Sequence, residues 1–178
     1  MSKLFTPPMS LPVGSFLFRN DLISKKELIQ YWESKFKNSF VQFFEFCPMK
    51  EYYSTEMGDI SKLSRFFIYS KELVARDELV QLKIWADNLE QNNLQNESGR
   101  IFNFDIGILS PENFILATGK PYSHRIYLSD GVYGELTYIF EKKTYKCLDW
   151  TYPDYAQVEI IEYFNKLRVN SQKFSDIS

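Results

Sequence analysis

"RIFNFDIGIL", residues 100–109, alternates without a break: Phe102, Phe104, Ile106 and Ile108 point one way, while Asn103, Asp105 and Gly107 point the other. A period of two marks a β-strand with one apolar and one polar side. This stretch decides the fold because it closes a regular series of elements. Upstream of it, "VGSFLFRN" (13–20) is a short apolar strand. "SKKELIQYWESKF" (24–36) is an amphipathic helix, with Ser24 and Glu27 at capping-box spacing and Leu28, Trp32 and Phe36 on one stripe. "SFVQFFEF" (39–46), closed off by Cys47-Pro48, and "LSRFFIYS" (63–70) are strands. "DELVQLKIWADNLEQ" (77–91) is a second helix whose stripe is Leu79, Leu82, Ala86 and Leu89. The order is β-α-β-β-α-β, the ferredoxin-like order, in which two helices pack on one face of a four-stranded antiparallel sheet.

Downstream come "NFILAT" (113–118), a hairpin within "GKPYSHRIYLSDGVYGELTY" (119–138), and "KTYKCL" (143–148), which pairs back after a turn at Glu141-Lys142. The last helix is expected in "YPDYAQVEIIEYFNKLRV" (152–169). Pro153 stands near its start, Asp154 and Gln157 have cap spacing, and Val158, Ile161, Phe164 and Leu167 form the stripe. The expected fold is therefore α+β: a ferredoxin-like βαββαβ core, an extended and mainly antiparallel sheet, and a C-terminal helix. Residues 1–12 read as a proline-punctuated arm, 13–170 as one domain and 171–178 as a polar tail.

The hairpin holds the only histidine of the chain, His124. Two registers are open around Asp130-Gly131. A two-residue turn would mix aliphatic and charged groups on both faces. A three-residue turn with Gly131 left-handed sets Leu128 opposite Val132 and Arg125 opposite Glu135. The second register segregates the faces: Ile126, Leu128, Val132, Gly134, Leu136 and Tyr138 face the core, and Arg125, Tyr127, Tyr133, Glu135 and Thr137 lie on the other side. It is the expected one, because a one-residue slip would put apolar groups in water.

Composition bounds the function. The chain of 178 residues has a net charge of −2 and 17% aromatic residues. There is no basic field for a nucleic-acid backbone and no polybasic patch for a membrane. The apolar N-terminus is interrupted by Pro7, Pro8 and Pro12, so it is no membrane anchor. Cys47 and Cys147 with a single histidine do not make a structural zinc site. Both read as reduced thiols, which fits a cytoplasmic setting. No GxGxxG, HExxH or GxSxG occurs, and "GK" at 119–120 lacks the upstream glycine of a P-loop.

Two carboxylates beside one arginine separate carboxyl pKa values or hold a guanidinium. Asp105, Glu135 and Arg125 are thus the candidate catalytic residues on the non-core face. His124, which by parity belongs with the apolar side at the start of the strand, is a fourth candidate, with a hydrogen-bonded structural role as its ordinary alternative. The ordinary alternative for Arg125 and Glu135 is a surface cross-strand pair, worth about 0.2–1 kcal/mol. Ser123-His124-Arg125 is no catalytic dyad by adjacency, since neighbours on a strand point to opposite faces.

"SHRIYLSDGVYGELTY" followed by "DWTYPDY" (149–155) resembles the bacterial and archaeal domain-of-unknown-function family 4416. The resemblance spans nearly the whole domain, including an "EMG" loop (56–58), the "KIWADNLE" helix (83–90) and the "NFDIG" strand (103–107). Where the family has Asn-Ile-Asp-Pro-Gly, this chain keeps Asp105 and Gly107 but has Ile106 in place of the proline, so a turn is not dictated there. Membership implies no established activity. A GTP-binding description attached to some members finds no P-loop here.

Three functions compete. In the first, a pocket on the non-core face binds a small anionic or nucleotide-like molecule. Arg65, Lys120, Arg125 and His124 would meet the anion, and Tyr127, Tyr133 and Trp150 would stack on a ring. Asn103, Ser123, Thr137, Tyr152 and Asp154 complete this set. The second is an acid–base hydrolase or transferase using Asp105, Glu135 and Arg125, with or without a metal on the carboxylates. The third is a non-catalytic interaction domain, whose open sheet edge is equally available to a second copy of the chain. The residues name no cofactor.

Overall fold

A computed structural model describes residues 3–44, 49–94 and 99–175. The elements in chain order are β1 (Leu11–Arg19), α1 (Lys25–Glu33), β2 (Ser39–Phe44), α2 (Lys50–Met57), β3 (Leu63–Ser70), α3 (Leu79–Gln91), β4 (Phe102–Leu109), β5 (Asn113–Thr118), β6 (Arg125–Ser129), β7 (Val132–Glu141), β8 (Thr144–Cys147) and α4 (Val158–Ser175). The fold is mixed α and β around one eight-stranded antiparallel sheet ordered β2-β3-β1-β4-β5-β7-β6, with β8 also on β7. Strand end 45–46 and the Cys47-Pro48 stop lie outside the described residues. Helix α1 starts on the expected capping box: Glu27 N–H donates to Ser24 Oγ, and Ser24 N–H donates to the Glu27 carboxylate.

Both faces of the sheet are covered, which corrects the expectation of one core face and one open face. Even-numbered positions of β1, β3 and β4 (Phe16, Phe66, Phe104) pack under Leu28 and Trp32 of α1 and Leu82 and Ala86 of α3. Odd-numbered positions (Val13, Phe67, Tyr69, Leu109) join Phe114, Tyr138 and Tyr145 under Ile160, Phe164 and Leu167 of α4. Strict alternation delivers both sets, because each strand side has its own helical layer. A smaller cluster of Leu17, Met57 and Leu63 fixes α2 on the α4 side. The short α2 carries no obvious apolar stripe, which is why periodicity does not reveal it.

The last helix starts at Val158, not near Pro153. Residues 153–156 form a turn instead, and Asp154 is buried against Arg65, so its carboxylate caps no helix. The helix continues to Ser175 rather than ending at Val169. The β7–β8 turn centres on Lys142-Lys143, both at positive φ, one step beyond the expected place.

The hairpin combines its two candidate registers. Its turn is the two-residue kind, with Asp130 at φ 49° and Gly131 at φ 78°. A β-bulge between Tyr127 and Ser129 then restores the offset, so Arg125 stands opposite Glu135 while Ser129, not Leu128, stands opposite Val132. The face assignment needs correction at two places. Ile126 and Leu128 are exposed, because β6 is an edge strand with no helix over it. Tyr138 shares the face of Glu135, because a second irregularity inserts Thr137 into β7 between the partners of Phe114 and Ile115.

Strands β4 and β5 pair only over Gly107–Leu109. Gly107 is required at this junction: a Cβ there would stand 2.5 Å from the Ile115 carbonyl oxygen. Strand β4 runs straight through Ile106 without a turn. Toward Phe102 its β5 side has no strand partner, and the sheet opens.

Candidate functional site

The opening holds a cavity of about 320 Å³ reached by α2, α3, β4, β5, β7 and the 148–157 segment. The first consequence of the split is an unpaired strand edge, and α3 supplies the missing partner. Glu90 reaches across, and its Oε1 accepts the Phe104 N–H at 2.8 Å. Its other oxygen lies 3.4 Å from Arg100 Nε. Burial pushes the Glu90 carboxyl up to about 7, against Arg100, Lys83 and the Phe104 N–H, which hold it down; nearby Asp105 adds to the rise. Arg100 Nη1 also meets Glu56 of α2 at 3.2 Å and donates to Asn103 Oδ1 at 2.9 Å.

From Asn103 the network continues along the sheet. Asn103 Nδ2 donates to Asp105 Oδ1 at 2.9 Å. Arg65 Nη2 lies 3.6 Å from Asp105 Oδ2, and Arg65 Nη1 pairs with Asp154 Oδ2. The Arg65 side chain is 3% exposed and lies over the rings of Phe67 and Tyr155. Asp154 also accepts the Met49 N–H at 3.0 Å, tying the start of α2 to the 148–157 segment. Burial raises the Asp154 carboxyl; Arg65 and the Met49 N–H oppose the rise and Asp105 adds to it. Burial likewise pushes the phenol of Tyr53 on α2 up, with Asp105 adding to it.

Across the opening, Glu135 of β7 is 1% exposed. Its Oε2 accepts Arg125 Nε at 2.7 Å and lies 3.2 Å from His124 Nε2. Its Oε1 is buried and has no donor among the described residues. Arg125 in turn donates to Tyr152 Oη at 2.8 Å and to the Lys120 carbonyl at 2.9 Å. The Arg125–Glu135 pair is therefore not an ordinary surface pair: both side chains are nearly inaccessible.

Of the residues singled out from sequence, Arg65, Asn103, Asp105, Lys120, Glu135, Tyr152 and Asp154 line the cavity, and Arg125 backs Glu135. His124 does not follow the apolar parity expected of it. It precedes β6, so strand alternation does not govern it, and it stacks on Trp150 at 4.8 Å and 7°. Trp150 does not line the cavity; its Nε1–H donates to the Leu136 carbonyl beyond the end of β6. Tyr127 and Tyr133 contact each other edge-on, away from the lining set. Ser123 is exposed, and buried Thr137 turns its hydroxyl to the Glu135 carbonyl. Among the described residues, no His, Cys, Asp or Glu side chains gather in a group of three able to hold a metal ion.

Sequence reasoning missed Glu90, Arg100, Glu56 and Tyr53. Glu90 was findable: it stands four residues after Ala86, on the buried stripe, where a charge needs an explanation. The others depend on α2 and on the split in the sheet.

A family model described as a domain of unknown function, DUF4416, matches residues 10–170. The chain belongs to this family. No curated protein and no solved structure matches it. The match spans the strands and helices of the described residues up to residue 170, and all residues that line the cavity fall within it.

Proposed function

We propose that this DUF4416 domain binds a small polar molecule, in the manner of a nucleoside or sugar phosphate, in the cavity at the split between β4 and β5. The reading is carried by Glu135: a buried carboxylate on the cavity wall with one oxygen lacking a donor, which a ligand hydroxyl or N–H would supply. Arg65, Arg100 and Lys83 already meet carboxylates. The lining therefore favours a ligand rich in donors with a single anionic group, the latter facing Lys120 and the backbone at Gly119. The cavity volume fits a ligand of that size. A thermal-shift series with nucleosides, nucleotides, sugar phosphates and polyols tests this. A ligand at about 100 times its Kd adds about 2.7 kcal/mol of stability. Glu135→Gln and Lys120→Ala should each remove that shift, and no shift with any compound would overturn the proposal.

Glu90 favours an enzyme as a second reading, since a carboxyl near neutrality beside a substrate cavity suits general acid–base work. In that case turnover of the bound compound would follow a group titrating near Glu90's pKa and would be lost in Glu90→Gln. The antiparallel order β2-β3-β1-β4, with α1 and α3 on one face, supports assigning the first half of the chain to the ferredoxin-like topology. A cytoplasmic setting is supported by Cys147, a free thiol; Cys47 lies outside the described residues. No helix among the described residues is long and apolar enough to cross a membrane.

A further inference from the structure

We propose that β6 is a self-association edge, through which two copies of this chain pair antiparallel about a two-fold axis at Tyr127. Strand β6 ends the sheet, with β7 on one side only. Ile126 is 73% exposed, Tyr127 58% and Leu128 42%, and Tyr122 just before the strand is 68% exposed. Natural sheets guard such an edge with lysine, proline or an inward charge. No lysine or proline stands in Arg125–Ser129. Its one charge, Arg125, is turned inward at the first residue and a bulge follows Tyr127, so the guards sit at the ends of the strand and leave Ile126, Tyr127 and Leu128 between them exposed. The opposite edge is different: on β2 the exposed Phe40 ring is covered by the Lys71 ammonium, 4.4 Å from its centre.

The backbone of β6 is available in the same place. The Arg125 N–H turns back to the Tyr122 carbonyl rather than toward β7. Alternation along an antiparallel strand then sets the N–H and C=O of Tyr127 outward as well. The occupant follows from self-complementarity. Antiparallel pairing about Tyr127 sets Ile126 against Leu128 of the second copy, Leu128 against its Ile126, and Tyr127 against Tyr127. Arg125 falls opposite Ser129, so no like charges meet. A contact that uses the same strand on both copies closes at a dimer. A strand of five residues makes a small interface, so association is transient and depends on concentration.

Sedimentation velocity over a concentration series tests this with the whole chain. Wild type should move from monomer toward dimer as concentration rises. Ile126→Lys with Leu128→Lys should stay monomeric with an unchanged melting temperature. Tyr127→Pro removes one outward N–H, leaves the bonds to β7 in place, and should also stay monomeric. Ile126→Lys alone, at the most exposed position, gives the answer where another variant fails to fold. A wild type that is monomeric throughout, assembly beyond a dimer, or variants that still associate would each overturn the proposal.

Discussion

The two faces of the sheet use alternate residues of the same strands and solve opposite problems. Under α1 and α3, Phe16, Phe66, Phe102 and Phe104 close a core free of charge except where Glu90 enters at the split. Under α2 and the 148–157 segment, one residue along each strand, the sheet presents Arg65, Asp105 and Glu135, with Asp154 above them. The first face converts burial directly into stability. The second desolvates charges, which costs free energy that pairing only partly offsets. Such an arrangement is kept for what it positions, and here it surrounds a cavity.

Breaking the charged face at its centre should have the largest effect. Arg65→Ala leaves the Asp154 carboxylate buried without its cation, at a loss of about 3–5 kcal/mol in denaturant unfolding. Arg65→Met together with Asp154→Leu should recover most of that loss while abolishing ligand binding, because an apolar pair replaces a desolvated ion pair. If the double variant is as unstable as the single one, the charged face is structural and the contrast between the faces fails.

Glu90 is where the faces meet, and pH sharpens the comparison. It titrates at about 7 in the fold, against about 4.3 in the unfolded chain. A raised folded pKa means that the native state holds the proton more tightly. The stabilisation is then complete below the unfolded value and is lost as pH rises through about 7. Glu90→Gln should remove this fall, worth about 3 kcal/mol between about pH 4 and about pH 8. Unfolding curves that keep the wild-type slope across that window would show that Glu90 is not the titrating group.

Gly107→Ala acts on the junction that separates core from cavity. The added methyl meets the Ile115 carbonyl, and loosening should cost about 1–3 kcal/mol. Amide exchange should quicken at Gly107–Leu109 before it does so at β1. The smallest change belongs to Ile126→Lys, within about 0.5 kcal/mol in thermal unfolding, because the side chain is exposed and lies in neither layer.

Periodicity in the chain is enough to determine β3 and β5 to the residue, the stripe of α3, and Leu28 and Trp32 of α1, whose helix ends at Glu33 before Phe36. The pairing of Arg125 with Glu135 is expected from a three-residue turn but is reached through a two-residue turn and a bulge. Periodicity also sets Asp105 on the face of Glu135, whereas Arg65 joins them only in the tertiary structure. Tertiary structure alone decides that this face is buried. Helix α2 lacks a stripe, Asp154 reads as a helix cap until Arg65 meets it, and Ile126 reads as core until β6 is seen to be an edge. The cavity itself belongs to no segment: it exists because β4 and β5 pair only from Gly107 to Leu109 and part on the Phe102 side of Gly107, and where two strands stop pairing is fixed by what packs around both of them.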